Sequence, residues 1–158
     1  MPHVAVSVDV AAPVRATWDA ITDWPAHGRF APLTTVTVTT PDPPGAGTRF
    51  LARSGVGPLG FDDPMEVVEW APPVGGGPGR CVVAKHGRLV LGTAVIDVVP
   101  APGGSRLTWT YDVDVAPVAL TRPFGPLVAA FTRAGLRRVL GALARDVERA
   151  TAGGGGGA

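Results

Sequence analysis

The chain has 158 residues, 46% of them apolar and 17% charged, with a formal net charge of +1. That length supports one domain with a genuine core, and the apolar fraction excludes a chain disordered over most of its length. So near-neutral a balance supplies no field to draw the protein onto nucleic acid or an anionic membrane.

Residues 3–10 alternate, with Val4, Val6, Val8 and Val10 on one face and Ala5, Ser7 and Asp9 on the other, which predicts a half-buried strand. Ala11, Ala12 and Pro13 break it, and Pro13 suits a helix start. Val14, Trp18 and Ile21 then recur at helical spacing over 14–23, a helix that Trp24-Pro25 ends because a residue before proline avoids the α region. A second short helical turn follows at 25–30, anchored by Trp24 and Phe30.

From Thr34 the period becomes two. Strands are expected at 35–40, 48–54, 65–70, 80–86, 89–99 and 105–115, with Pro/Gly-rich turns at 41–47, 74–79 and 100–104. Between the second and third of these lies a glycine-rich connection, 55–64 (GVGPLGFDDP). In 48–54 Phe50 and Ala52 share one face; in 105–115 Leu107, Trp109, Tyr111, Val113 and Val115 do. Residues 126–150 carry Val128, Phe131, Gly135, Val139, Leu143 and Val147 at spacings of three or four, widened by Leu136 and Leu140. Arg133, Arg137, Arg138, Arg145, Glu148 and Arg149 fall mostly on the opposite side, as in an amphipathic helix of about six or seven turns. Its apolar stripe needs a partner, and the sheet is the partner on offer. A single domain over 1–150 is expected, then a flexible Gly-rich tail at 151–158.

Several residues could carry chemistry. The 55–64 loop could act as a lid, although a tight turn with Asp62 and Asp63 in solvent is the plainer expectation. His27 lies beside aromatic residues and His86 at a strand end; each could transfer protons near neutral pH, and exposed loop positions are the simpler reading. Trp109 and Tyr111 should point inwards, one to stack on a ring and the other to orient a polar atom. Glu66 and Glu69 fall on opposite faces of a regular strand, so one of them points inwards unless a bulge intervenes. Asp112 and Asp114 oppose Trp109 and are expected in solvent. Trp18 and Trp70 read as packing residues. Cys81 is alone, which excludes an internal disulfide, and it reads as a small buried hydrophobe. His3, His27 and His86 are too scattered for a metal site, and no cofactor is expected. The chain opens without a signal-peptide pattern and contains no apolar run of about eighteen residues, so a soluble cytoplasmic protein without a membrane span is expected.

The order strand, two short helices, six strands, long helix is the helix-grip arrangement. Together with VSVDVAAPVRATWDAITDW, EWAPP, HGRLVLGTAVIDV and SRLTWTYDVDV, it resembles the START-like, or Bet v 1-like (SRPBCC), superfamily, in its polyketide cyclase/dehydrase and lipid-transport branch. The resemblance implies an α+β fold, with a curved antiparallel sheet of about seven strands around the C-terminal helix. It also implies an apolar cavity for a lipid-like or polyketide-like molecule. Contacts with that molecule are expected from Trp24, His27, Phe30, Phe50, Phe61, Met65, Trp109, Tyr111, Phe131, Gly135 and Val139. A polyketide aromatase/cyclase-type enzyme is the alternative, with His27, Tyr111 and Arg53 as candidates and no cyclase-specific motif. A co-chaperone-like interaction module is the third reading; it expects a filled core and an exposed apolar patch near 120–124. A monomer or homodimer suits each of the three.

Overall fold

The structure, a computed structural model, describes residues 3–40 and 44–154. Strand β1 (His3–Val10) leads into helix α1 (Val14–Ile21) and a 3-10 turn (Trp24–Arg29). Six strands follow: β2 (Thr34–Val38), β3 (Arg49–Ser54), β4 (Phe61–Ala71), β5 (Gly79–His86), β6 (Val90–Ala101) and β7 (Gly104–Val115). A short α2 (Val118–Thr121) and a 3-10 turn precede the 30-residue α3 (Gly125–Gly154). All seven strands pair antiparallel in one sheet of order β1-β7-β6-β5-β4-β3-β2. The sheet curls over α1 and α3, which is the helix-grip arrangement.

Period-two burial sets the inner face. Val4, Val6 and Val10 of β1, Cys81 and Val83 of β5, Ala94, Ile96 and Val98 of β6, and Leu107 and Trp109 of β7 all join one core. Trp18 of α1 meets Trp70 of β4 edge to face at 5.1 Å, and its ring leaves room only for glycine at position 79, where a Cβ would lie 2.7 Å away. A second glycine has a conformational reason. Gly92 has φ of +137°, and a Cβ there would come within 2.1 Å of the Asp112 carbonyl oxygen, so β6 and β7 approach closely only because the side chain is missing. Buried hydroxyls are paired: Thr17 Oγ1 and Ser105 Oγ lie 2.8 Å apart, and Ser105 also donates to the Ala12 carbonyl.

Four expectations are revised. First, β4 begins at Phe61, so Asp62, Asp63 and Pro64 belong to a strand that pairs with β3, and the glycine-rich connection is correspondingly shorter. Second, the register of β4 on β5 shifts between Val67 and Glu69. This bulge keeps both Val67 and Trp70 in the core and leaves Glu66 and Glu69 on the outer side, with Arg49 and Arg80 respectively. Third, α3 continues through Thr151–Gly154, beyond the expected end at 150; residues 155–158 of the expected tail lie outside the described residues, as do 41–43 of the expected turn. Fourth, the apolar stripe of α3 is buried only from Leu136 onwards. Leu136, Leu140, Leu143, Ala144 and Val147 are buried against β1 and α1, whereas Leu127 is 68% and Phe131 84% exposed. Arg29–Asp146 at 3.8 Å and the Ala11 amide donating to Glu148 at 3.1 Å fasten the same stretch.

Candidate functional site

Between the sheet and the middle of α3 lies a cavity of about 220 Å³. It exists because small side chains stand where larger ones would fill it: Ala52 on β3 and Ala94 on β6 are buried on its wall, joined by Ala31 and Ser54. Around this space runs a connected arc of rings. Phe50 stacks on Trp24 at 4.5 Å and 8°; Trp24 meets His27 at 5.4 Å, His27 meets Trp109 at 5.8 Å, and Trp109 meets Tyr111 at 5.7 Å. The Lys85 ammonium closes the arc, 5.4 Å from the Tyr111 ring centre.

The polar wall is made where β4 and β5 pair. Met65 opposes Lys85 in register, and the inward parity that carries Cys81 and Val83 places Lys85 inside as well. Lys85 is 7% and Asp63 8% exposed; Lys85 Nζ donates to Asp63 Oδ2 and, at 3.3 Å, to Met65 Sδ. Burial by itself pulls the Lys85 pKa down, but Tyr111 (once ionised) and Asp63 more than offset this, leaving it above the ordinary lysine value. Lys85 is therefore charged at neutral pH, and its contribution to stability is lost only in alkali, as pH rises through that raised pKa. Asp63 Oδ1 is buried and has no hydrogen-bond partner among the described residues; the same holds for the indole nitrogens of Trp24 and Trp109.

His27 is held by a 2.6 Å hydrogen bond in which Nε2–H donates to the Ile21 carbonyl, leaving Nδ1 as the acceptor nitrogen. Burial lowers its pKa below the usual 6.5, only partly countered by the Ile21 carbonyl and Asp23. Because the folded state then binds protons less readily than the unfolded chain, stability is full above about pH 6.5 and falls as pH drops towards the depressed pKa. His27→Gln keeps an N–H for Ile21 and removes the titration. Melting temperatures from pH 8 to 5 should therefore decline less steeply for the variant than for the wild type in the window below 6.5. Parallel curves would mean that His27 does not supply the slope.

Of the contacts expected from sequence, the cavity wall gathers Trp24, His27, Phe50, Met65, Trp109, Tyr111 and Val139. Phe30, Phe61, Phe131 and Gly135 lie off it; Phe30 is covered by the Arg29 guanidinium at 5.3 Å, and Phe61 is 38% exposed. Asp63, expected in solvent, is buried in the wall, and Lys85 is a wall residue that sequence reasoning passed over. Arg53 points outwards to Asp62 at 3.0 Å, and His86 is exposed, 3.9 Å from Glu66. Cys81 is fully buried, its thiol pushed up to about 12 by burial and by Glu69, so it is inert.

A larger groove of about 620 Å³ opens between the end of β7, α2 and the start of α3, lined by Val115, Val118, Arg122, Pro126 and Ala129 among others. None of its lining residues is a buried ionisable group. Leu120, Phe124, Leu127 and Phe131 are exposed nearby in sequence. The patch expected of an interaction module is thus present, whereas the filled core expected with it is not. Among the described residues, no cluster of side chains suits a metal ion and no helix is long and apolar enough to cross a membrane.

Residues 1–148 match the family model described as polyketide cyclase/dehydrase and lipid transport. Among solved structures, the chain is similar to a protein of Thermus thermophilus, TTHA0849 (TM-score 0.73, 15% identity, 94% of this chain and 99% of that one). It is likewise similar to the Zhui aromatase/cyclase from Streptomyces sp. R1128 (0.70, 16%, 93% and 93%) and to a START superfamily protein from Mycobacterium smegmatis (0.70, 19%, 93% and 97%). At such identities the likeness is one of fold. No curated protein matches the chain in sequence.

Proposed function

We propose, since the chain belongs to the polyketide cyclase/dehydrase and lipid transport family, that its cavity binds a compact, ring-bearing apolar molecule. The observation that carries this reading is the unbroken arc from Phe50 to Tyr111 around about 220 Å³ of space. Flat rings lying against flat rings bury apolar area and add the offset or edge-to-face attraction of aromatic pairs. Size narrows the class. An engineered cavity of about 150 Å³ takes up benzene, and drug-sized sites begin near ~300 Å³. A two-ring molecule therefore suits the space better than a long acyl chain, and within the family's range a polyketide-like ligand suits it better than a lipid.

Calorimetric titration with naphthalene tests the reading. A Kd near the micromolar range is expected, about −8 kcal/mol, which lies under the ceiling of roughly −1.5 kcal/mol per heavy atom for small ligands. Ala94→Phe places a ring in the cavity, and binding should then fall at least tenfold while the protein still folds. The reading fails if the wild type gives no heat of binding, or if the filled variant binds naphthalene as well as the wild type does.

A further inference from the structure

We propose that Lys85 and Asp63 form a polar anchor that selects, among ring-bearing ligands, α- and β-hydroxy-ketones, whose hydroxyl sits on the first or second carbon from the carbonyl carbon. This rests on the cavity-binding reading above and specifies the ligand's polar edge.

The inference comes from an incomplete pairing. Asp63 Oδ2 is taken by Lys85, whereas Oδ1, equally buried, accepts nothing from the described residues. An ammonium carries three donors; that of Lys85 uses one on Asp63 and spends a second on the weakly accepting sulfur of Met65. One N–H is left over. Asp63 and Lys85 both line the cavity at the end of the ring arc where Tyr111 flanks the ammonium, so an unmet acceptor stands beside an unmet donor; Oδ1 itself is covered, and a ligand reaches it once the carboxylate turns about its Cβ–Cγ bond. A buried polar group without a partner is costly, and a ligand that supplies the partner removes that cost on binding.

Charge then sorts the candidates. A hydrocarbon leaves both groups unmet. A carboxylate ligand satisfies Lys85 but faces the negative charge of Asp63, and a cationic ligand has the opposite difficulty. A neutral hydroxy-ketone meets both, with its O–H donating to Asp63 Oδ1 and its carbonyl accepting from Lys85. Gly87 borders the same oxygen, since a Cβ there would stand 3.2 Å from Asp63 Oδ1.

The test compares 3-hydroxy-1-indanone, whose rigid ring keeps hydroxyl and ketone from bonding to each other, with indane of the same skeleton. Both are titrated into the wild type and into Lys85→Met/Asp63→Leu, which removes the two charges together and keeps apolar bulk. Lys85→Met alone could simply unfold, so the double variant carries the comparison. The wild type should bind the hydroxy-ketone more tightly than indane, and the ratio of the two affinities should drop at least tenfold in the double variant while indane binding persists. Indane binding with the same ratio in both proteins overturns the anchor and leaves the cavity reading standing. If neither compound binds the wild type, both readings fall.

Discussion

Lys85→Met alone should lower the free energy of unfolding by about 3–5 kcal/mol, whereas Lys85→Met/Asp63→Leu should leave it nearly unchanged. The asymmetry follows from what each change leaves behind. In the single variant Asp63, 8% exposed and already short of one donor, keeps its carboxylate in the protein interior with no counter-charge. It must either stay ionised at the cost of desolvation or take up a proton at the pH of the experiment. The double variant removes the charge and its partner together, so the interior loses a pair whose attraction was largely spent on desolvation. For a domain of this length the single change amounts to roughly 6–20 °C in Tm, at about 2–4 °C per kcal/mol. Urea unfolding of the three proteins at pH 7, with m held constant, gives the comparison. Equal losses in single and double variants would show that Asp63 without its counter-charge carries no added cost, and would overturn the asymmetry.

Lys85 and Asp63 both line the cavity, and their position was partly legible in the chain. The alternation of Cys81 and Val83 fixes the parity of β5, and extending it two residues puts Lys85 inside and His86 outside, as found. What concealed the pair was Asp63. Counted with the glycines before it, it looked like a loop acid. Only the pairing of Ala52 with Asp63 and of Arg53 with Asp62 shows that β4 starts at Phe61, and such register lies between strands rather than within one. The bulge at Val68 was hidden for the same reason: Val67 and Trp70 both need the core, and three residues of regular strand cannot supply it. Elements with a strong internal period, such as β1 with its four valines, came directly from the residues. The ring arc was half legible, because Trp109 and Tyr111 share a parity, but their meeting with Trp24 and His27 depends on how the 3-10 turn folds back over the sheet.

The long helix gives the second large effect, and it separates two roles that the stripe pattern merges. Leu140 is fully buried, so Leu140→Ala should cost about 2–5 kcal/mol from lost transfer energy and the void left behind. Phe131 continues the same stripe nine residues earlier but is 84% exposed, and Phe131→Ala should shift stability by no more than about 0.5 kcal/mol. A uniformly gripped helix would make both substitutions expensive. The difference arises because the stretch 136–147 packs on β1 and α1, while the start of the helix, residues 125–129, runs beside the open groove at the end of β7. Val139, the one α3 residue on the cavity wall, stands between the buried Leu136 and Leu140. The buried part of α3 joins the core, whereas the part before it adds little apolar burial. Thermal unfolding of the two variants decides this: similar losses of several degrees in both would mean that the start of α3 is also packed in solution.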